Sequence, residues 1–202
     1  MRLCVFCAFS SVGEPYENEV RALGECLGNA GCELVFGGFD SGLMGAIADG
    51  FAKAGAEITG VVPRTLMEGR TVHAGCTQVI ETATLTERKS VMVENSDAFV
   101  VAPGGIGTLD ELFVVLDMSM TGERVRPIVL FDCADFFDGL YDYLCELYEA
   151  GFVRKPVEGM LDIASDPESV MAALGIEAAN ALDGASTSEH ACLDEASHGQ
   201  EA

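Results

Sequence analysis

Short apolar runs alternate along the chain with longer segments in which apolar residues recur at helical spacing. The runs hold about five residues without polar alternation, which is typical of strands covered on both faces. Strands that alternate with helices imply βαβ units. We therefore predict an α/β fold with a doubly wound, mostly parallel sheet and helices on both faces. The predicted strands are 3–7, 33–36, 58–62, 78–80, 98–102 and 127–131, the helices are 16–29, 42–54, 86–95, 108–120 and 136–150, and a short closing unit covers 161–174.

The 202-residue chain divides into a patterned body and an acidic tail. Residues 1–176 carry all the predicted elements and fit one domain. Residues 177–202 hold six acidic residues and no Lys or Arg, and most of the others are Ala, Ser and Gly. Because this composition offers too little apolar surface to offset the entropy of ordering, we predict that the tail is disordered.

The net charge of −22 restricts the partners. Such a field repels phosphate backbones, so we expect neither nucleic acid nor a membrane surface as a partner. A small anion is still possible, because the N-terminus of a helix binds phosphate without any basic side chain. Of the eight cysteines, Cys4 and Cys7 form the one C-x-x-C pair. On a strand they point to opposite faces, so we expect buried thiols in a reducing cytoplasm.

The strongest local motif is VVAPGGIGTLDE, which begins at Val100. A buried strand runs into a glycine-rich turn that opens a helix. Ligands of open α/β sheets bind at the carboxyl ends of strands, and free N–H groups at a helix start can hold a phosphate. The motif lacks the fingerprints of triphosphate hydrolysis and of dinucleotide binding. The alternative is a tight turn with Thr108 as the helix cap.

Glu111 allows two interpretations. Thr108-x-x-Glu111 matches a capping box, in which the carboxylate reaches back to the Thr108 N–H. Alternatively, Glu111 points its carboxylate into the crevice. A second glycine turn, GGFDSGLMG from Gly37, is either another ligand crevice or a short βα loop.

Arg88 and Lys89 stand near the start of the predicted helix 86–95, with Thr86 as its N-cap. Cations in a first turn oppose the helix dipole, so their presence in so acidic a protein suggests contact with an anion or a ribose. The alternative is a solvated charge pair.

In chain order, the second glycine turn, the triplet Glu87-Arg88-Lys89 and the turn from Pro103 to Glu111 together resemble the LONELY GUY (LOG) proteins, the cytokinin-activating phosphoribohydrolases once misnamed lysine decarboxylases. The resemblance covers residues 3–174. The resemblance implies a Rossmann-like fold, a homodimer, and hydrolysis of the N-glycosidic bond of a nucleoside 5′-monophosphate. It also assigns Arg88 and Glu111 as catalytic. The remaining expected substrate-binding residues are Ser10, Gly38, Gly42, Lys89, Gly104, Gly105, Gly107 and Thr108.

Several positions depart from the family pattern. Ala8-Phe9 replaces the usual Gly-Ser, Phe39 replaces a third glycine, Leu85-Thr86 replaces the frequent Met-His, and Met118 replaces a common Trp. The bulky Phe9 and Phe39 are expected to narrow or reshape the pocket for the base or the phosphate.

The residue types suit glycoside hydrolysis. Breaking a ribose–base bond builds positive charge on the sugar ring, and a carboxylate such as Glu111 stabilises that charge. Arg88 would hold ribose or phosphate oxygens, and Asp110 is a possible helper.

We find no cofactor or metal motif. We predict a cytoplasmic phosphoribohydrolase acting on AMP or a cytokinin riboside monophosphate, with a non-catalytic nucleotide or cofactor carrier as the alternative. Lysine decarboxylation is a weaker third alternative, because none of the three lysines has a recognisable pyridoxal phosphate setting.

Overall fold

The computed structural model describes residues 1–123 and 126–177. The predicted disordered tail therefore lies outside the described residues, apart from Glu177. Within the described ranges no helix is long and apolar enough to cross a membrane. The strands are β1 (Arg2–Phe6), β2 (Glu33–Phe36), β3 (Ile58–Pro63), β4 (Gln78–Thr82), β5 (Ala98–Val101), β6 (Ile128–Phe131) and β7 (Asp162–Ala164). The α-helices are α1 (Tyr16–Asn29), α2 (Gly42–Lys53), α3 (Leu85–Glu94), α4 (Ile106–Thr121), α5 (Asp138–Glu149) and α6 (Pro167–Ala173).

The strands form one sheet in the order β4-β3-β2-β1-β5-β6-β7, and every neighbouring pair is parallel. This confirms the predicted α/β class and the doubly wound sheet. The closing unit supplies a seventh strand, and the described sheet is parallel throughout rather than mostly parallel. Because neighbouring parallel strands need crossover connections, the helices lie on both faces.

Two apolar cores cover the two faces of the sheet. Successive residues of β1, and Cys7 directly after it, alternate between the two cores: Leu3, Val5 and Cys7 pack with α1, α2 and α6, whereas Cys4 and Phe6 pack with α3, α4 and α5. The seven cysteines in the described part of the chain are all unpaired. Cys4 and Cys7 lie on opposite faces, as their spacing predicts.

The order of the strands reverses between β1 and β5. From β1 the chain proceeds outwards to β4, then returns to β5 beside β1 and proceeds to the other edge. At such a switch point the two loops that follow the strands diverge and leave a crevice. The loops after β1 and β5 therefore form the natural ligand site of this sheet.

Three predicted helix starts are wrong: α5 begins at Asp138 rather than at Phe136, and the errors at α3 and α4 affect the site. Thr84, not Thr86, is the N-cap of α3, and its side chain accepts a hydrogen bond from Glu87 N at 3.1 Å. α4 begins at Ile106 with Gly105 as its N-cap. Thr108 is thus the third residue of the helix and cannot be its cap, which excludes the capping-box interpretation of Glu111.

Candidate active site

A cavity of about 780 Å³ lies at the switch point. The loops after β1 and β5 form its walls, together with the first turns of α3 and α4. Eight of the ten predicted site residues line it, namely Ser10, Arg88, Lys89, Gly104, Gly105, Gly107, Thr108 and Glu111. Among the described residues, the lining includes neither Gly38 nor Gly42.

Arg88 and Glu111 form an ion pair in the lining of this cavity. Arg88 Nη2 donates to Glu111 Oε1 at 2.9 Å, although the two residues are 23 positions apart. Both are nearly buried, with 6% and 7% of their surface exposed. Breaking such a pair by removing one partner leaves an uncompensated charge in a poorly solvated place.

The surroundings of Arg88 fix its guanidinium group. Arg88 Nε donates to Met92 Sδ at 3.5 Å, one turn further along α3. On another side, a Cβ added at Gly37 would lie 2.8 Å from Arg88 Nη2. Gly37 therefore allows the guanidinium to approach the backbone after β2. The expectation that Arg88 holds ribose or phosphate oxygens did not include its contact with Glu111, which depends on how α3 packs beside α4.

Opposing influences act on the Glu111 carboxyl. Burial raises the pKa of Glu111 above its ordinary value, and the charge of Asp110 raises it further. Arg88 lowers the same pKa through its charge and its hydrogen bond, and Lys89 lowers it by its charge. The ionised form of Glu111 thus depends on the two cations beside it.

The glycine turn after β5 presents the N-terminus of α4 to the cavity. The first helical bond runs from Leu109 N to Gly105 O at 3.0 Å, so the preceding N–H groups point out of the helix. Such groups form an anion site. Gly104 is required sterically, because a Cβ there would collide with the Thr108 side chain, whereas a Cβ at Gly107 meets open space.

We expect Gly104→Ala to deform this turn and Gly107→Ala to leave it intact. Overpacking by one methyl costs about 1–3 kcal/mol, and the melting temperature of a chain this size should fall by about 2–4 °C for each kcal/mol. Gly107→Ala, in the first turn of α4, should raise stability slightly because alanine favours helix. Thermal melts of both variants measure the difference, and equal melting temperatures would contradict the steric role of Gly104.

The second glycine turn supports the site, and its glycines do not line the cavity, although Met44 does. The Ala8 carbonyl accepts from Leu43 N at 3.0 Å and from Met44 N at 3.2 Å, so it occupies the first N–H groups of α2. Gly42 has φ +52°, and a Cβ there would collide with the Ser10 carbonyl. Gly38 has φ +82° and packs against Val62. The geometry thus favours the βα-loop alternative, with these glycines holding the Ala8–Ser10 loop in place.

Two further side chains at the cavity were not singled out from the sequence. Tyr16 and Phe136 both line it, and their rings meet edge to face with centroids 6.2 Å apart. Because Tyr16 and Phe136 are 120 positions apart in the sequence, no local sequence pattern predicts that they meet. Lys89, which was predicted, pairs with Asp110 at 2.7 Å at the rim.

Three carboxylates lie together outside the cavity. Oxygens of Asp132, Asp135 and Asp138 are all within 4.8 Å of one another. Asp132 is buried and accepts from Phe137 N at 2.5 Å, which accounts for its position before α5. We assign no metal to this cluster, because acidic groups at a helix start interact favourably with the helix dipole.

Fold and site together define a Rossmann-type α/β protein whose crevice suits a small phosphorylated ligand. A family model described as "Possible lysine decarboxylase" matches residues 44–174. The cytokinin riboside 5′-monophosphate phosphoribohydrolase of Mycobacterium tuberculosis is 36% identical over 151 residues, which cover 75% of this chain and 81% of that protein. The enzyme of the same name, LOG5, from Arabidopsis thaliana is 34% identical over 154 residues, covering 76% and 68%. The chain therefore belongs to the LOG family.

Solved structures support the fold. The molybdenum cofactor binding protein of Rippkaea orientalis superposes with a TM-score of 0.66 at 20% identity, covering 86% of this chain and 94% of that one. The Moco carrier protein of Chlamydomonas reinhardtii gives a TM-score of 0.65 at 20% identity, with the same coverage. At this identity the likeness concerns the fold alone.

Proposed function

We propose that the protein is a phosphoribohydrolase that cleaves the N-glycosidic bond of a purine nucleoside 5′-monophosphate, releasing the free base and ribose 5-phosphate. The observation that carries this proposal is the buried Arg88–Glu111 pair beside the open N-terminus of α4. The curated relatives are named for this reaction on cytokinin riboside 5′-monophosphate. AMP and N6-modified AMP are the substrates that we propose for this chain.

The geometry suggests a separate role for each part of the site. The N-terminus of α4 binds the 5′-phosphate and so anchors the ribose in the cavity. Glu111 faces the sugar ring, where its negative charge stabilises the oxocarbenium-like transition state more than the neutral ground state. Arg88 keeps this carboxylate ionised and oriented. Lys89 offers a second cation at the rim.

The alternatives have less support. All three lysines lie in the described part of the chain, and Lys89 alone of them lines the cavity. Because Lys89 is engaged with Asp110, a Schiff-base lysine for decarboxylation has no candidate in the cavity. A carrier that binds a nucleotide without turnover would use the same phosphate site, so only an activity measurement separates it from the enzyme.

We also propose a homodimer in the cytoplasm. Free cysteines suit a reducing compartment. Ile106 and Phe113 of α4 and Leu85 of α3 are exposed, at 83%, 44% and 49%, and exposed apolar groups of this kind favour association. Light scattering that gives the mass of a monomer would reject the dimer.

The function is tested by comparing AMP with adenosine. If the N-terminus of α4 binds the phosphate, kcat/KM for AMP should exceed that for adenosine at least ~100-fold, since each charge-assisted contact contributes about 1.5–3 kcal/mol. Chromatography measures adenine release from both. Equal rates would identify a nucleosidase instead, and AMP binding without adenine release would identify a carrier.

A further inference from the structure

Phe9 and Phe39, two bulky residues that depart from the family pattern, pack against each other beside the cavity. Their ring centroids are 5.9 Å apart and the rings are nearly perpendicular, at 88°. Phe39 is fully buried, while Phe9 is partly buried and lines the cavity. An edge-to-face pair with this geometry is favourable beyond its buried area. Phe39 therefore fixes the orientation of the Phe9 ring.

Arg70 completes the cluster from a segment without regular secondary structure. Its guanidinium carbon lies 4.4 Å from the centroid of the Phe9 ring and 5.4 Å from that of Phe39. The chain directly after Arg70 is tied to the second glycine turn: Asp40 N donates to Thr71 O at 2.9 Å, and Val72 forms an antiparallel bridge with Phe39. These backbone contacts hold the cation against the ring.

The cluster leaves one part of Phe9 open to a ligand. Among the described residues that line the cavity, neither Arg70 nor Phe39 is included. Of the three side chains in this cluster, Phe9 is therefore the one that a ligand in the cavity can contact. A cation near an aromatic ring draws its π-electron density away from the opposite side. This reduces repulsion against the electron-rich face of a purine, so the exposed part of Phe9 suits base stacking.

We infer that Phe9 is the stacking platform for the purine base of the substrate and that Arg70 is its positioning residue. The identity of the ligand as a purine nucleotide rests on the proposed function. The stacking site is this chain's own feature, because it is built from residues that replace the family's small ones.

The absence of tryptophan from the chain provides a direct test. Phe9→Trp introduces a single tryptophan, whose emission can be excited apart from that of the four tyrosines, and rapid mixing with AMP should quench this emission before turnover. Ribose 5-phosphate, which has the phosphate and sugar but no base, should leave the emission unchanged. Phe152→Trp is the matched control, because Phe152 is 80% exposed and does not line the cavity, and AMP should not quench it.

Kinetics separate positioning from a merely structural role. Phe9→Leu keeps an apolar side chain but removes the aromatic face, and should raise KM for AMP at least ~5-fold, which corresponds to about 1 kcal/mol, the lower end for stacking of one base. Arg70→Gln should raise KM about threefold to fivefold with kcat within about twofold of wild type. Arg70→Lys, which keeps the cation, should restore most of this loss.

Four outcomes decide the inference. Quenching by AMP but not by ribose 5-phosphate supports it, and does so even if AMP is bound without hydrolysis, in which case only the proposed enzymatic function fails. Equal quenching by both compounds overturns it. Hydrolysis of AMP with no quenching and an unchanged KM in Phe9→Leu overturns it while leaving the enzyme intact. Absence of AMP binding by calorimetry overturns both.

Discussion

Replacing Glu111 by Gln should lower turnover of AMP at least ~100-fold, which corresponds to about 2.7 kcal/mol of transition-state stabilisation. In the wild type Arg88 Nη2 lies 2.9 Å from the Glu111 carboxylate. The amide oxygen of the glutamine can accept the same hydrogen bond, so the substituted side chain keeps its position. The amide carries no charge to stabilise an oxocarbenium ion. The measurement is adenine release at saturating AMP.

A thermal melt and a matched variant complete this experiment. Because Glu111 does not cap α4, its substitution does not disturb the start of the helix. It does leave the buried Arg88 cation without its counterion, so we expect a loss of about 1–3 kcal/mol with a cooperative transition. Asp110→Asn removes the same charge from the adjacent residue, whose side chain is 55% exposed, and should stay within about tenfold of wild type. A folded Glu111→Gln variant with near wild-type turnover would show that Glu111 is not catalytic.

The regular part of the fold could be predicted because local signals agree there. Tyr16–Asn29 and Glu33–Phe36 have the predicted bounds, since Gly31 and Gly37 mark where each element ends. The closing unit was too short to show a strand period of its own. α3 begins one residue earlier than predicted because both Thr84 and Thr86 suit a cap. In the structure Thr84 is the cap. Glu87 is then the third residue of the helix, and its carboxylate accepts a hydrogen bond from Ala83 N at 2.7 Å.

The site was predicted only as far as its motifs extend. The glycine turn after β5 and the charged start of α3 are each a continuous stretch of sequence, and the resemblance to the LOG family assigned a role to their residues. The contact between Arg88 and Glu111 depends on two helices packing side by side, which no spacing encodes. The position of Arg70 over Phe9 depends on residues 63–75, which have no clear period. That segment folds back through the Phe39–Val72 bridge, a contact set by tertiary structure.

Replacing Arg88 by Met should abolish most activity at neutral pH and should make the remainder depend on pH in a specific direction. Arg88 lowers the pKa of Glu111, whereas burial raises it. Without the cation this pKa rises further, so Glu111 is protonated at a pH where it is ionised in the wild type. We expect turnover to fall at least ~100-fold, and the acid limb of the pH–rate profile to move to higher pH.

The stability of the Arg88→Met variant should respond to pH in the direction opposite to its activity, because ionisation of Glu111 restores the catalytic charge but leaves a buried carboxylate without its cation. In the variant, folded Glu111 has a pKa above that of the unfolded chain, so between these two values the folded state binds more protons. The melting temperature should therefore fall as pH rises from the ordinary range of a glutamate through the raised pKa of the folded state. Arg64→Met is the matched control: it removes an equal charge from a side chain that is 71% exposed and pairs with Glu81 at 3.2 Å. An exposed pair contributes at most about 1 kcal/mol, so this control should keep wild-type activity and pH dependence. An Arg88→Met variant with the wild-type pH profile would show that Arg88 does not govern the ionisation of Glu111.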